Sequence, residues 1–167
     1  MKQIRASQGL RIIGTVDIVL KGPDGTIKQH DVHHNLVVDA GFDVVNTLIR
    51  TGSGVYTNVL GLVWEDPDVG VISLAAGDLD FQNFTNQDFK SGGDVTITRI
   101  DEKNWKLVAT WGAGEPTPGG SGWPIPIRGI GVYTAALVNN IFSGIVRAPL
   151  NKENVDDLVI TYTFTMA

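Results

Sequence analysis

The sequence predicts a mainly β protein: an antiparallel β-sandwich or jelly-roll-like core with one packed α-helix at about residues 40–51 and long loops. Three observations lead there. The chain combines 20 glycines and seven prolines with abundant valine, isoleucine and threonine, a composition suited to short strands joined by tight turns. Several segments alternate apolar and polar residues with the period of two that a half-buried strand requires. One stretch, His33 to Arg50, passes from an extended apolar run into helical spacing.

Leu10 to Leu20 is close to alternating, and Lys21-Gly22-Pro23-Asp24-Gly25-Thr26 follows as a turn, with proline to fix φ and glycine to accept φ > 0. Ile27 to His33 is then the return strand of a hairpin. Asn35 to Val38 leads to the hinge, where Asp39 offers a carboxylate to the free N–H groups of a helix start. Asp43 adds negative charge to the first turn, and Arg50 and Gly52 mark the stop. Phe42, Val45, Leu48 and Ile49 fall on one helical face. Ordering such a segment costs more than burying four side chains returns, so the helix must dock on a sheet.

Val55 to Trp64 reads as a strand apolar enough to be central, expected to pair with the first hairpin. The acidic, amide-rich stretch at about 65–93 scatters Phe81, Phe84 and Phe89 among polar residues without a sustained period. It reads as a loop-rich excursion, of a length that serves contact or function. Asp94 to Ile100 and Trp105 to Trp111 form a second hairpin across Asp101-Glu102-Lys103-Asn104. The stretch at about 112–126 is too rich in glycine and proline for regular structure and is expected to project as a surface loop. Ile127 to Thr134, Ile141 to Arg147 and Asp157 to Phe164 supply three further strands. Residues 1–167 thus read as one β-rich domain.

The net charge of −5 and a pI near 5.0, with no basic patch, argue against a binder of nucleic-acid phosphates. Cysteine is absent, which removes disulfides and thiolate metal ligation. Met1 to Arg5 is basic but no signal-type apolar region follows, and no run approaches a membrane span, so a soluble chain without membrane contact is expected.

Catalytic and metal patterns are weak. On a strand His30 and His34 share a face while His33 points away, so at most two of the three histidines converge. They read as polar residues at a strand end; a metal site would need acids such as Asp31 or Asp39 as well. Glu65-Asp66-Pro67-Asp68, Asp78 and Asp80 lack the spacing of a calcium loop and read as solvated acids; a glycan hydrolase acting through Asp66 or Asp78 is a distant reading. Gly112-Ala113-Gly114 has no third glycine, and Gly52-Ser53-Gly54 lacks the nucleophile elbow. No enzyme, cofactor or metal is expected.

The aromatic residues carry the contact hypothesis. Trp105 and Trp111 sit at the ends of one strand and read as core. Trp64, Phe81, Phe84, Phe89, Trp123 and Pro124 are the candidate protein-contact residues, since aromatic side chains concentrate binding energy at interfaces.

His34-Asn35-Leu36-Val37-Val38-Asp39-Ala40-Gly41, followed by the helical pattern, resembles the H-N-L-V-x-[ND]-A-G signature of small virion structural proteins of tailed bacteriophages. Ile127 to Ala136 resembles that group's E-I-G-L-F-N-A strand, with Gly129 in place of the usual acid. Phe142 to Phe164 resembles its closing Arg-Pro-turn-strand segment, with Tyr162 where tryptophan is common. The resemblance implies a non-enzymatic virion component, expected here to be a capsid decoration (cement) protein on the shell surface. Its partners would be the major capsid protein and copies of itself, as a homodimer or homotrimer. A tail, fibre or baseplate protein is the alternative, and a module binding a host receptor or glycan through Trp123 and Trp64 is a further one.

Overall fold

The computed structural model describes residues 12–39, 41, 58–64, 71–84, 86–118, 122–134 and 137–167. Its strands are β1 (Ile12–Lys21), β2 (Ile27–His34), β3 (Leu36–Val37), β4 (Val59–Trp64), β5 (Asn86–Lys90), β6 (Val95–Arg99), β7 (Asn104–Trp111), β8 (Ile125–Thr134), β9 (Leu137–Lys152) and β10 (Asp157–Met166). They form two five-stranded antiparallel sheets, β2-β1-β10-β7-β6 and β3-β9-β8-β4-β5. The expected mainly β class holds, with the first hairpin as β1–β2 and the second as β6–β7.

Alternation sets the inner face of the first sheet. Val16, Ile18 and Leu20 of β1 are buried, as are Leu158, Ile160, Tyr162 and Phe164 of β10, while Thr15, Asp17, Thr161 and Thr163 between them stay half-buried on the outer side. Ile18 lies opposite Ile160, which lies opposite Ala109, so cross-strand pairs stack into one apolar layer. That layer joins Leu60, Leu62, Trp64, Ile127, Ile130 and Ile145 of the second sheet in one core, the hallmark of a sandwich. Polar ties cross the interior as well. The Tyr162 hydroxyl donates to the Ile130 carbonyl at 2.7 Å, and Trp111 Nε1 donates to Asp88 Oδ2 at 2.7 Å. Burial pushes the Tyr162 hydroxyl well above its ordinary pKa, so it remains a donor.

Two expectations are corrected. β4 is indeed central, but it pairs with β8 and β5 rather than with the first hairpin, because β1 already has β10 and β2 on its two sides. The excursion contains β5, whose period was hidden because its inward residues, Asn86, Asp88 and Lys90, are polar. Asp88 meets the Trp111 indole, and Lys90 pairs with Glu115 at 2.8 Å. The helix expected at about 40–51 lies outside the described residues apart from Gly41, whose N–H donates to the Val38 carbonyl at 2.9 Å.

Candidate functional site

The strand-to-hinge stretch is where the chain leaves one sheet for the other, from β2 into β3. Asn35 sits over Gly14 of β1, where a Cβ would collide with its amide. Its backbone N–H donates to the Gly14 carbonyl at 3.1 Å, and its side chain donates to Ser143 Oγ of β9. Ser143 in turn donates to the Leu36 carbonyl at 3.0 Å. Val38 is fully buried, and Gly41 lies against the Phe142 carbonyl with no room for a Cβ. The motif residues Asn35, Val38 and Gly41 thus work as packing and crossing devices.

Beside the crossing, the inward side of β2 is polar. Arg147 of β9, its side chain only 5% exposed, donates from Nη2 to Asp31 Oδ2 at 2.7 Å, and Gln29 donates to the same oxygen at 2.7 Å. His30 faces Asp17 at 3.2 Å on the outer side, with both groups half-exposed. Among the described residues no three His, Asp or Glu side chains gather in metal-binding fashion.

The segment 71–84 is bound across the outer face of the second sheet. Ser73 and Gln82 bridge it into a narrow loop, Ile141 donates to the Leu79 carbonyl at 2.8 Å, and Asp39 donates to the Ala76 carbonyl at 2.7 Å. Ile72 and Phe81 are buried there with Val59, Val63, Tyr133 and Ile141. The Phe81 ring lies on bare backbone: a Cβ on Gly129, Gly131 or Gly144 would stand 2.9–3.1 Å from it. Asp80 beside it accepts the Tyr133 hydroxyl at 3.0 Å and the Phe81 N–H at 2.8 Å. Burial pushes the Asp80 carboxyl above its ordinary value. Burial, then the Asp80 charge, pushes the Tyr133 hydroxyl far up.

At one end of the sandwich the base of the Gly/Pro-rich loop meets the β9–β10 turn around a buried lysine. Lys152 Nζ donates to the carbonyls of Gly112 at 2.9 Å and Asp156 at 2.6 Å, and stands 5.3 Å from the Trp123 ring centroid. Asp156, equally buried, receives Lys28 Nζ at 2.6 Å. Burial pulls the Lys152 ammonium below its ordinary pKa, opposed by the charges of Asp156, Asp157 and Glu115. Nothing in the one-letter pattern around Lys152 signalled this cage; the acceptors of its ammonium are backbone carbonyls.

The six candidate contact residues do not gather on one surface. Trp64 is buried between the sheets and has no surface to offer. Phe81 is the 71–84 segment's own buried side chain, seated on the second sheet, and Phe84 and Phe89 pack against the same cluster, Phe89 edge-on to Tyr133. Trp123 packs partly on the main core beneath Lys152, and Pro124 beside it is exposed. The exposed apolar side chains are others, Val71, Leu79, Ile27, Val32, Ile97 and Ile100 among them. No family model, no curated protein and no solved structure matches the chain.

Proposed function

We propose that this chain is a non-enzymatic structural subunit of a tailed-phage virion, and specifically a capsid decoration protein that binds the outer surface of the shell and contacts neighbouring subunits. The observation that carries the reading is the H-N-L-V-x-D-A-G stretch, which resembles a virion-protein signature and does architectural work here. Asn35 ties three strands together, Val38 enters the core and Gly41 allows a close backbone approach. A motif used for the crossing between sheets marks a scaffold rather than a reaction centre. A small acidic chain with a sandwich core supports an accessory subunit presented on a particle surface.

Quantitative mass spectrometry of purified virions tests the reading. A decoration protein occurs in a copy number comparable with the major capsid protein, and co-sediments with shells to which it is added back. A handful of copies per particle instead assigns the chain to tail, fibre or baseplate, and its absence from particles removes the virion reading altogether.

A further inference from the structure

We propose that β6 is a homodimerisation edge, pairing antiparallel with β6 of a second copy about a two-fold axis near Ile97, so that two first sheets join into one. Among the described residues β6 is the outermost strand of its sheet, bonded to β7 on one side only. Ile97 lies opposite Leu107, which is fully buried, so both project towards the core side. Ile97 nevertheless remains 53% exposed, because its strand stands at the open edge of the sandwich. An inward-facing isoleucine left half in water marks an unfinished core.

The other edges are protected. β2 presents Lys28, His30, Asp31, His33 and His34, and its inward side is tied to Arg147. β3 has two residues, and β5 is amide-rich and charged. β6 reads Val-Thr-Ile-Thr-Arg, four β-branched residues in succession with no proline and no bulge against β7, the kind of edge that native proteins otherwise blunt.

The strand's own symmetry selects a second copy as the occupant. A two-fold axis normal to a sheet keeps each face on its own side, so residues of equal parity pair. With the axis at Ile97, that residue meets its own equivalent on the core side, and Thr96 meets Thr98 on the outer side. Cross-strand threonine and β-branched pairs of this kind stabilise sheets, and a self-complementary patch is what an isologous interface demands. At the ends of the paired strands Arg99 of one copy comes opposite Val95 of the other. Pairing two five-residue strands buries a small area, so the dimer is weak, with dissociation at about the micromolar level or above.

The test uses the full purified chain and is independent of the virion reading. Sedimentation velocity over rising concentration is expected to show a monomer–dimer equilibrium, and Ile97→Lys to raise the dissociation constant at least tenfold with the circular dichroism spectrum unchanged. Because the chain has no cysteine, Ile97→Cys gives a clean probe. Mild oxidation is expected to yield a covalent dimer, whereas Val155→Cys, at an equally exposed position, stays largely monomeric. A chain monomeric at all concentrations overturns the proposal. So does a dimer indifferent to Ile97→Lys, or equal cross-linking through both cysteines.

Discussion

On the outer face of one sheet, Thr15, Asp17, Thr161, Thr163 and Val108 stand half-exposed in cross-strand rows, with Thr96 and Thr98 more exposed at the margin. On the outer face of the other, Val59, Val63, Tyr133 and Ile141 are fully or almost fully buried beneath the segment 71–84. The first face is built of short β-branched and hydroxyl side chains that tolerate water without a cover. The second combines large apolar groups with three glycines that leave a hollow, and neither tolerates water well. A covering segment is therefore part of the second sheet's packing, and its Phe81 supplies the atoms that the glycines lack.

This contrast breaks first at Phe81. Phe81→Ala empties the hollow and is expected to destabilise the chain by about 3–5 kcal/mol in urea unfolding. Amide exchange should locate the loss at Asp39, Ile141, Ser73 and Gln82, whose N–H groups bond across the segment. Gly131→Val fills the same hollow from below, and overpacking is expected to cost about 1–3 kcal/mol. A neutral outcome there would mean that the ring is not seated on the sheet.

A smaller effect sharpens the same face through pH. Because the Asp80 carboxyl is raised above its ordinary 3.8, the folded state holds its proton more tightly than the unfolded one. The resulting stabilisation is complete below about pH 3.8 and is lost as pH rises through the folded value. Asp80→Asn, which retains an acceptor for Tyr133, is expected to flatten that part of the stability–pH profile; a profile identical to the parent's refutes the assignment. Thr161→Val, on the uncovered face, is expected to change stability by no more than about 0.5 kcal/mol in the same unfolding measurement.

What the sequence disclosed follows from these packing differences. Strands with one wet face announced themselves by alternation, as β1, β7 and β10 do, and the continuous apolar run of β4 correctly signalled a strand covered on both sides. β5 stayed hidden because its inward positions satisfy polar partners distant in the chain, the Trp111 indole of the other sheet and Glu115 of the loop beyond it, a relation that no local pattern contains. The excursion's phenylalanines were legible as important but not as internal. Scattered aromatic residues in a polar stretch look alike whether they meet a partner or fold back, and the deciding glycines lie some fifty residues further on. The Lys152 cage was illegible for a similar reason, since backbone carbonyls brought together from two segments leave no residue-type signature.

The position of β10 bears on how the molecule is made. It follows every other described strand, yet it lies in the middle of its sheet, between β1 and β7. The hairpins β1–β2 and β6–β7 share no ladder with each other and are held together in the sheet through β10. Only with Asp157 to Met166 in place are the two joined into one sheet. The β1–β10 ladder therefore joins segments far apart in the chain, a pairing whose closure is entropically costly and which sets a slow step in folding.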